Sequence, residues 1–123
     1  MPYAELHSHS YFSLLDGVPS PEELIEQAAR FEMPAIALSD HNGLYGIPRF
    51  WNAAQKAGIK AIIGCEITLS NRNSHITLLA ENEIGYSNLC HLITLSHPTN
   101  KKHMVALEEN KLIGNSTGLI ALS

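Results

Sequence analysis

The chain has 123 residues, of which 45% are hydrophobic and 16% charged, with a formal net charge of −4. That length allows one compact domain and no more, and the apolar fraction argues against wholesale disorder. With no run of about 18 apolar residues a membrane-spanning helix is excluded, and the mild acidity speaks against a stand-alone nucleic-acid binder held by phosphate contacts.

Residues 4–9 read as a short strand, with Leu6 on one face and Glu5, His7 and His9 on the other. A loop follows, ending in the turn pair Asp16-Gly17. Ser20 then caps a helix: Pro21 takes its first position and Glu23 completes a capping box. Leu24, Ile25, Ala28, Ala29 and Phe31 follow at helical spacing until Met33-Pro34 breaks the pattern. Residues 35–39 form a continuous apolar run, as expected of a strand buried on both faces. Asp40-His41-Asn42-Gly43 ends that strand in a loop. A second helix is expected over 47–57, stopped by Gly58. Residues 60–69 are the next strand, 71–74 a polar turn, and 75–80 another strand. A third helix is expected over 83–96, closed by Pro98, then a short helix over 104–112 and a last buried strand over 118–122. Strands and helices alternating at these lengths argue for a parallel α/β sheet or barrel with right-handed crossovers. A domain rarely stops inside a central strand, so the chain is expected to be part of a larger domain.

The opening Met1-Pro2-Tyr3 is not a basic-then-apolar leader, and two cysteines, Cys65 and Cys90, are too few for a disulfide framework. A reducing cytoplasm is the expected compartment. Seven histidines are the unusual count, and four of them carry candidate chemistry. His7 and His9 lie two residues apart, so in a strand they project side by side and suit a shared divalent ion. An isolated His-x-His is equally a pair of exposed histidines. Asp40 and His41 follow an apolar strand, where α/β folds gather functional groups, though Asp40 also suits a turn binding its own backbone. Glu66, late in its strand after Gly64-Cys65, is placed for metal bridging or is simply an exposed strand end. His75 opens its strand, and Asp16 competes with an ordinary Asp-Gly turn. His91, His97 and His103 read as surface residues. His7, His9, His41 and Glu66 all fall at the carboxyl ends of three successive expected strands, which a parallel barrel brings to one rim.

Leu6-His7-Ser8-His9-Ser10 with Ser13-Leu14-Leu15-Asp16-Gly17 resembles the opening motif of the PHP (polymerase and histidinol phosphatase) family. Residues 37–46, Ala-Leu-Ser-Asp-His-Asn-Gly-Leu-Tyr-Gly, resemble its second motif, and Gly64-Cys65-Glu66 its third. Within the family the likeness is nearest to the N-terminal PHP domain of the alpha subunit of bacterial DNA polymerase III, on residues 12–17, 60–69, 75–80 and 85–89. Residues 71–74 and 88–94 lean toward its error-prone branch. The resemblance covers essentially the whole chain. It implies an α/β fold, the N-terminal portion of a distorted seven-stranded (β/α) barrel, with up to three divalent ions (Zn, Mn or Fe) on its C-terminal rim. It places His7, His9, Asp16, His41, Glu66 and His75 at ligand positions. Asp40 would orient His41, and Asp40 and Glu66 are the residues expected to serve catalysis. The family's later ligands, a His or Cys and a closing Asp-x-His pair, have no counterpart in the sequence. The implied chemistry is phosphoester hydrolysis, as a 3′–5′ exonuclease or a pyrophosphatase. The implied partners are DNA and deoxynucleotides, reached through a parent polymerase, and other polymerase subunits or domains, with no membrane. A free-standing histidinol-phosphatase-like enzyme and a non-catalytic structural module are the alternatives.

Overall fold

The computed structural model describes residues 3–13, 19–70, 74–97 and 105–122. Helix α1 (Pro21–Arg30) starts as its sequence dictates. The Ser20 hydroxyl accepts from the Glu23 amide at 3.1 Å, and the Glu23 carboxylate accepts from the Ser20 amide at 3.2 Å. Strand β1 (Ala35–Leu38) and helix α2 (Ile47–Ala57) follow, and Gly58 ends α2 in the left-handed conformation that a glycine adopts without a Cβ penalty. Then come β2 (Lys60–Leu69), β3 (Ser74–Ala80), α3 (Glu83–Ser96), the short α4 (Glu109–Ile113) and β4 (Leu119–Leu122). Asn82 caps α3 by accepting from the Gly85 amide at 2.8 Å.

The four strands form one sheet in the order β1-β2-β3-β4. An all-parallel sheet, the sequence expectation, is not what forms. β1 and β2 are parallel, but β2–β3 and β3–β4 are antiparallel. The reason is chain length: β2 and β3 are joined by residues 70–73, far short of the dozen or so that a parallel crossover needs. β4 is not the buried central strand expected of its apolar sequence. It closes the strand order, only partly buried, with Ile120 45% exposed.

Two further expectations change. Residues 4–9 run beside β1 but make a single bridge, Glu5 to Ile36. The Glu5 carbonyl accepts from Ala37 and the Ser8 carbonyl from Ser39. Three steps on one side thus oppose two on the other, and the extra residue breaks the ladder. The last short helix starts at Glu109, later than expected, because Leu107 is pinned in extended form: its amide donates to Thr68 and its carbonyl accepts from Ser70. Leu107 is almost fully buried there, and that burial outweighs helical extension.

The apolar residues divide into two clusters. Leu24, Ile25, Ala28, Ile36, Leu38, Ile47, Phe50 and Ala54 join α1 and α2 to β1. Cys65, Ile67, Leu69, Leu78, Leu89, Leu92 and Leu107 join α3 to β2 and β3. Leu44 and Ile63 pack against both. From Cys65 to Leu69 burial along β2 alternates with a period of two. Cys65, Ile67 and Leu69 are buried, which turns Glu66 and Thr68 to the opposite face. Register then puts Thr77 opposite Glu66 and His75 opposite Thr68 on that same face.

Candidate metal centre

Glu66 is the hub. Its side chain is 12% exposed, and one oxygen, Oε2, faces three imidazole nitrogens: His9 Nε2 at 2.8 Å, His7 Nε2 at 3.4 Å and His41 Nδ1 at 3.4 Å. The rings of His7 and His9 lie 4.9 Å apart, those of His9 and His41 4.5 Å, and those of His41 and His75 5.7 Å. Two overlapping triads result, His7-His9-Glu66 and His41-Glu66-His75, each with its donor atoms within 4.8 Å of one another. Imidazole nitrogens with a shared carboxylate suit a first-row divalent ion, and a carboxylate common to both triads suits a bridge between two ions.

The local backbone explains the convergence. His41 and Glu66 sit at a parallel bridge just past the β1–β2 ladder, where the Glu66 amide donates to the Asp40 carbonyl at 2.9 Å and the Asn42 amide to the Glu66 carbonyl at 2.8 Å. His75 arrives by another route. Although it lies at the start of its strand, the reversal into β3 carries it back to the end of β2, where Thr68 Oγ1 meets its Nδ1 at 3.2 Å.

The Asp40 carboxylate faces Ser10 and Ser13. The residue is buried, and its carboxylate accepts from the Ser10 amide, the Ser10 hydroxyl and the Ser13 hydroxyl, each at 2.6 Å. The Ser13 hydroxyl in turn accepts from the His41 amide at 3.0 Å. Asp40 therefore fastens the segment after His9 to the strand end bearing His41. Asp16 lies outside the described residues. His91 and His97 are both exposed, as expected, and His97 also donates from Nε2 to the Asn42 carbonyl at 2.8 Å.

Sequence reasoning missed Asn42 and Thr68. Asn42 holds a left-handed backbone, φ 52°, and its side chain exchanges two hydrogen bonds with Thr68, at 3.0 and 3.1 Å. An asparagine just after a strand-end histidine is a recognisable signal for that conformation. Cys65, next to Glu66, is free and buried, and burial pushes its thiol up to about 12. Cys90 is also free.

The PHP domain family matches residues 5–123. The DNA polymerase III subunit alpha of Buchnera aphidicola is 39% identical over 98% of the chain, and the error-prone DNA polymerase of Symbiobacterium thermophilum is 50% identical over 79%. The chain spans about a tenth of the length of these relatives, 11% and 9%. Among solved structures, an amidohydrolase from Chromobacterium violaceum with bound sulfate and no metal is 31% identical, with a TM-score of 0.61 over 74% of the chain and 32% of its own. A Bifidobacterium adolescentis protein, described provisionally as a metal-dependent phosphoesterase, has the same TM-score, 0.61, at 23% identity over 76% of the chain and 32% of its own, a likeness of fold. The match of the family model over residues 5–123, nearly the whole chain, shows that the chain belongs to the PHP domain family.

Proposed function

We propose that this chain is the N-terminal part of a PHP domain from a bacterial DNA polymerase III alpha-type protein of the error-prone branch, and that it supplies most of a metal-dependent phosphoesterase site. The observation that carries the reading is the Glu66 carboxylate oxygen facing His7, His9 and His41, with His75 completing a second triad. His7, His9 and Glu66 would hold one divalent ion, and His41, Glu66 and His75 a second; Asp16 is proposed as a further ligand. Zn, Mn and Fe all suit such a mixed nitrogen and oxygen set, and up to three ions fit the complete domain. When bound, the ions supply a water made acidic enough to act near neutral pH and a clamp for the phosphate under attack. Glu66 serves the reaction by holding both donor sets in register. Asp40 is a positioning residue, acting through Ser10 and Ser13. The activity would be 3′–5′ exonuclease or pyrophosphatase, with DNA and deoxynucleotides as partners through the parent polymerase. Polymerase relatives at 39% identity over 98% of the chain favour that parent over a free-standing phosphatase. Among the described residues no helix is long and apolar enough to cross a membrane, and two free thiols fit a reducing cytoplasm.

The test uses the chain and its parent polymerase, each loaded with Mn, Zn or Fe(II). Release of nucleotide from a 3′-labelled single strand and metal content by elemental analysis are measured for the unmodified protein and for Glu66→Gln and His9→Ala. The expected result is loss of both bound metal and hydrolysis with unchanged circular dichroism. Full hydrolysis in Glu66→Gln refutes the catalytic reading, and a metal-replete parent without hydrolysis leaves the structural module as the correct one.

A further inference from the structure

The segments that carry His9 and His41 also carry an aromatic patch that no metal chemistry requires. Tyr11 and Phe12 meet edge-on at 5.0 Å, and Tyr45 lies at 6.4 Å from Phe12 with the two rings tilted by only 31°. All three are exposed, Tyr45 at 65%. The patch is built rather than incidental. The Arg49 guanidinium sits over both Tyr11 and Phe12, at 5.3 and 5.8 Å from the ring centres, and donates to the Tyr11 hydroxyl. Its other nitrogens are fixed by Glu22 at 2.6 and 2.8 Å. The Tyr45 ring lies across Gly43 so closely that a Cβ there would overlap it.

The patch is also tied to the site. Phe12 stands between Ser10 and Ser13, both bonded to Asp40, and its amide donates to the Ser10 hydroxyl at 3.2 Å. Phe12 follows His9 by a stretch of chain that spans at most roughly 11 Å, and Tyr45 follows His41 by at most roughly 14 Å. Among the described residues the cation of the patch, Arg49, already has its carboxylate, so the exposed ring faces offer flat π surface. That chemistry suits a nucleobase, which every nucleotide carries, better than a phosphate.

We propose that Phe12 and Tyr45 form a stacking subsite for the base of the nucleotide whose phosphate the His/Glu cluster takes, with Arg49 and Tyr11 as positioning residues for Phe12. This rests on the phosphoesterase reading above and adds to it the nucleotide group that is gripped. Stacking on a ring does not discriminate among bases, so the subsite would accept any 3′-terminal nucleotide.

The experiment measures binding of dAMP, 2-deoxyribose 5-phosphate and deoxyadenosine to the Mn-loaded chain by calorimetry. dAMP is expected to bind about 5- to 150-fold more tightly than the base-free phosphate, the range for one stacked ring. Tyr45→Leu and Phe12→Leu, which keep apolar bulk but no π face, should each remove most of that margin and leave 2-deoxyribose 5-phosphate unchanged, while Tyr45→Trp retains it. Equal affinity for the two phosphates, or a margin that survives both leucine variants, overturns the subsite and leaves the patch as a contact face for another protein segment. Glu66→Gln separates the two claims. If it does not weaken 2-deoxyribose 5-phosphate, the phosphoesterase reading fails, while the subsite still stands or falls on Tyr45-dependent binding of deoxyadenosine.

Discussion

The Asp40 carboxylate accepts three hydrogen bonds from Ser10 and Ser13 while lying one residue from His41 and buried from water. A buried carboxylate is tolerable only when its oxygens are so occupied. Asp40→Asn replaces one acceptor oxygen by a donor. It is expected to lower unfolding free energy by about 1.5–3 kcal/mol in a metal-free denaturant titration, and to weaken divalent-ion affinity by loosening the segments that carry His9 and His41. Unchanged metal affinity in a destabilised Asp40→Asn would show that Ser10, Ser13 and the two histidine-bearing segments hold their places without it. Residues were legible in the sequence to differing degrees. His7, His9, His41 and Glu66 stood out because identical spacing rules put each at a strand end. Asn42 and Thr68 did not, because their work is done through backbone conformation and a mutual pair of bonds between strands 26 residues apart in sequence.

At the level of elements, α1 and α2 are joined by apolar packing and by one ion pair, Arg49 to Glu22 at 2.6 Å, with side chains 44% and 40% exposed. The hydrogen bonds from Arg49 hold the Glu22 carboxyl below its ordinary value of 4.5. A depressed carboxylate contributes stability that is complete above the ordinary value and is lost as pH falls through the lower folded-state value. At this exposure the contribution is less than about 1 kcal/mol. Glu22→Gln should therefore lose less than about 1 kcal/mol at pH 7 and converge with the parent as pH falls well below 4.5, where the carboxyl is protonated in both states, so that its acid limb is correspondingly flatter. A large loss at pH 7 would mean that the carboxylate does more than pair with Arg49. At the other end of the sheet α3 meets β4 through two glycines. A Cβ on Gly85 would run into the Gly118 carbonyl, and Gly118 itself has φ 79°. Gly85→Ala is expected to cost about 3 kcal/mol in thermal or denaturant unfolding, since the obstacle is backbone and has no rotamer to yield. A variant as stable as the parent would place that approach of helix and strand in doubt. The capping box of α1 and the glycine stop of α2 were legible in sequence because capping is local. The extended Leu107 was not, because only its burial against β2 and α3 decides against the helix.

For the molecule as a whole, alternating strands and helices predict a parallel sheet, yet the sheet is parallel only between β1 and β2. The polar turn at 71–74 is legible in the sequence, and a connection that short permits only an antiparallel return. That return matters for the site. It brings the start of β3 to the end of β2, and so places His75 on the rim with Glu66 and not at the far end of the sheet. Ions held between segments remote in sequence bind only the folded chain, so Mn or Zn at 100 times its dissociation constant should add about 2.7 kcal/mol to unfolding free energy. Glu66→Gln should lose that increment, and a melt indifferent to metal and chelator would contradict it. The most direct test of the central claim is anomalous X-ray scattering from crystals of the chain grown with Mn or Zn. The account predicts anomalous peaks within bonding distance of Glu66, one bounded by His7 and His9 and one by His41 and His75. Peaks lying only elsewhere, or none beside Glu66 in a crystal saturated with metal, would contradict it.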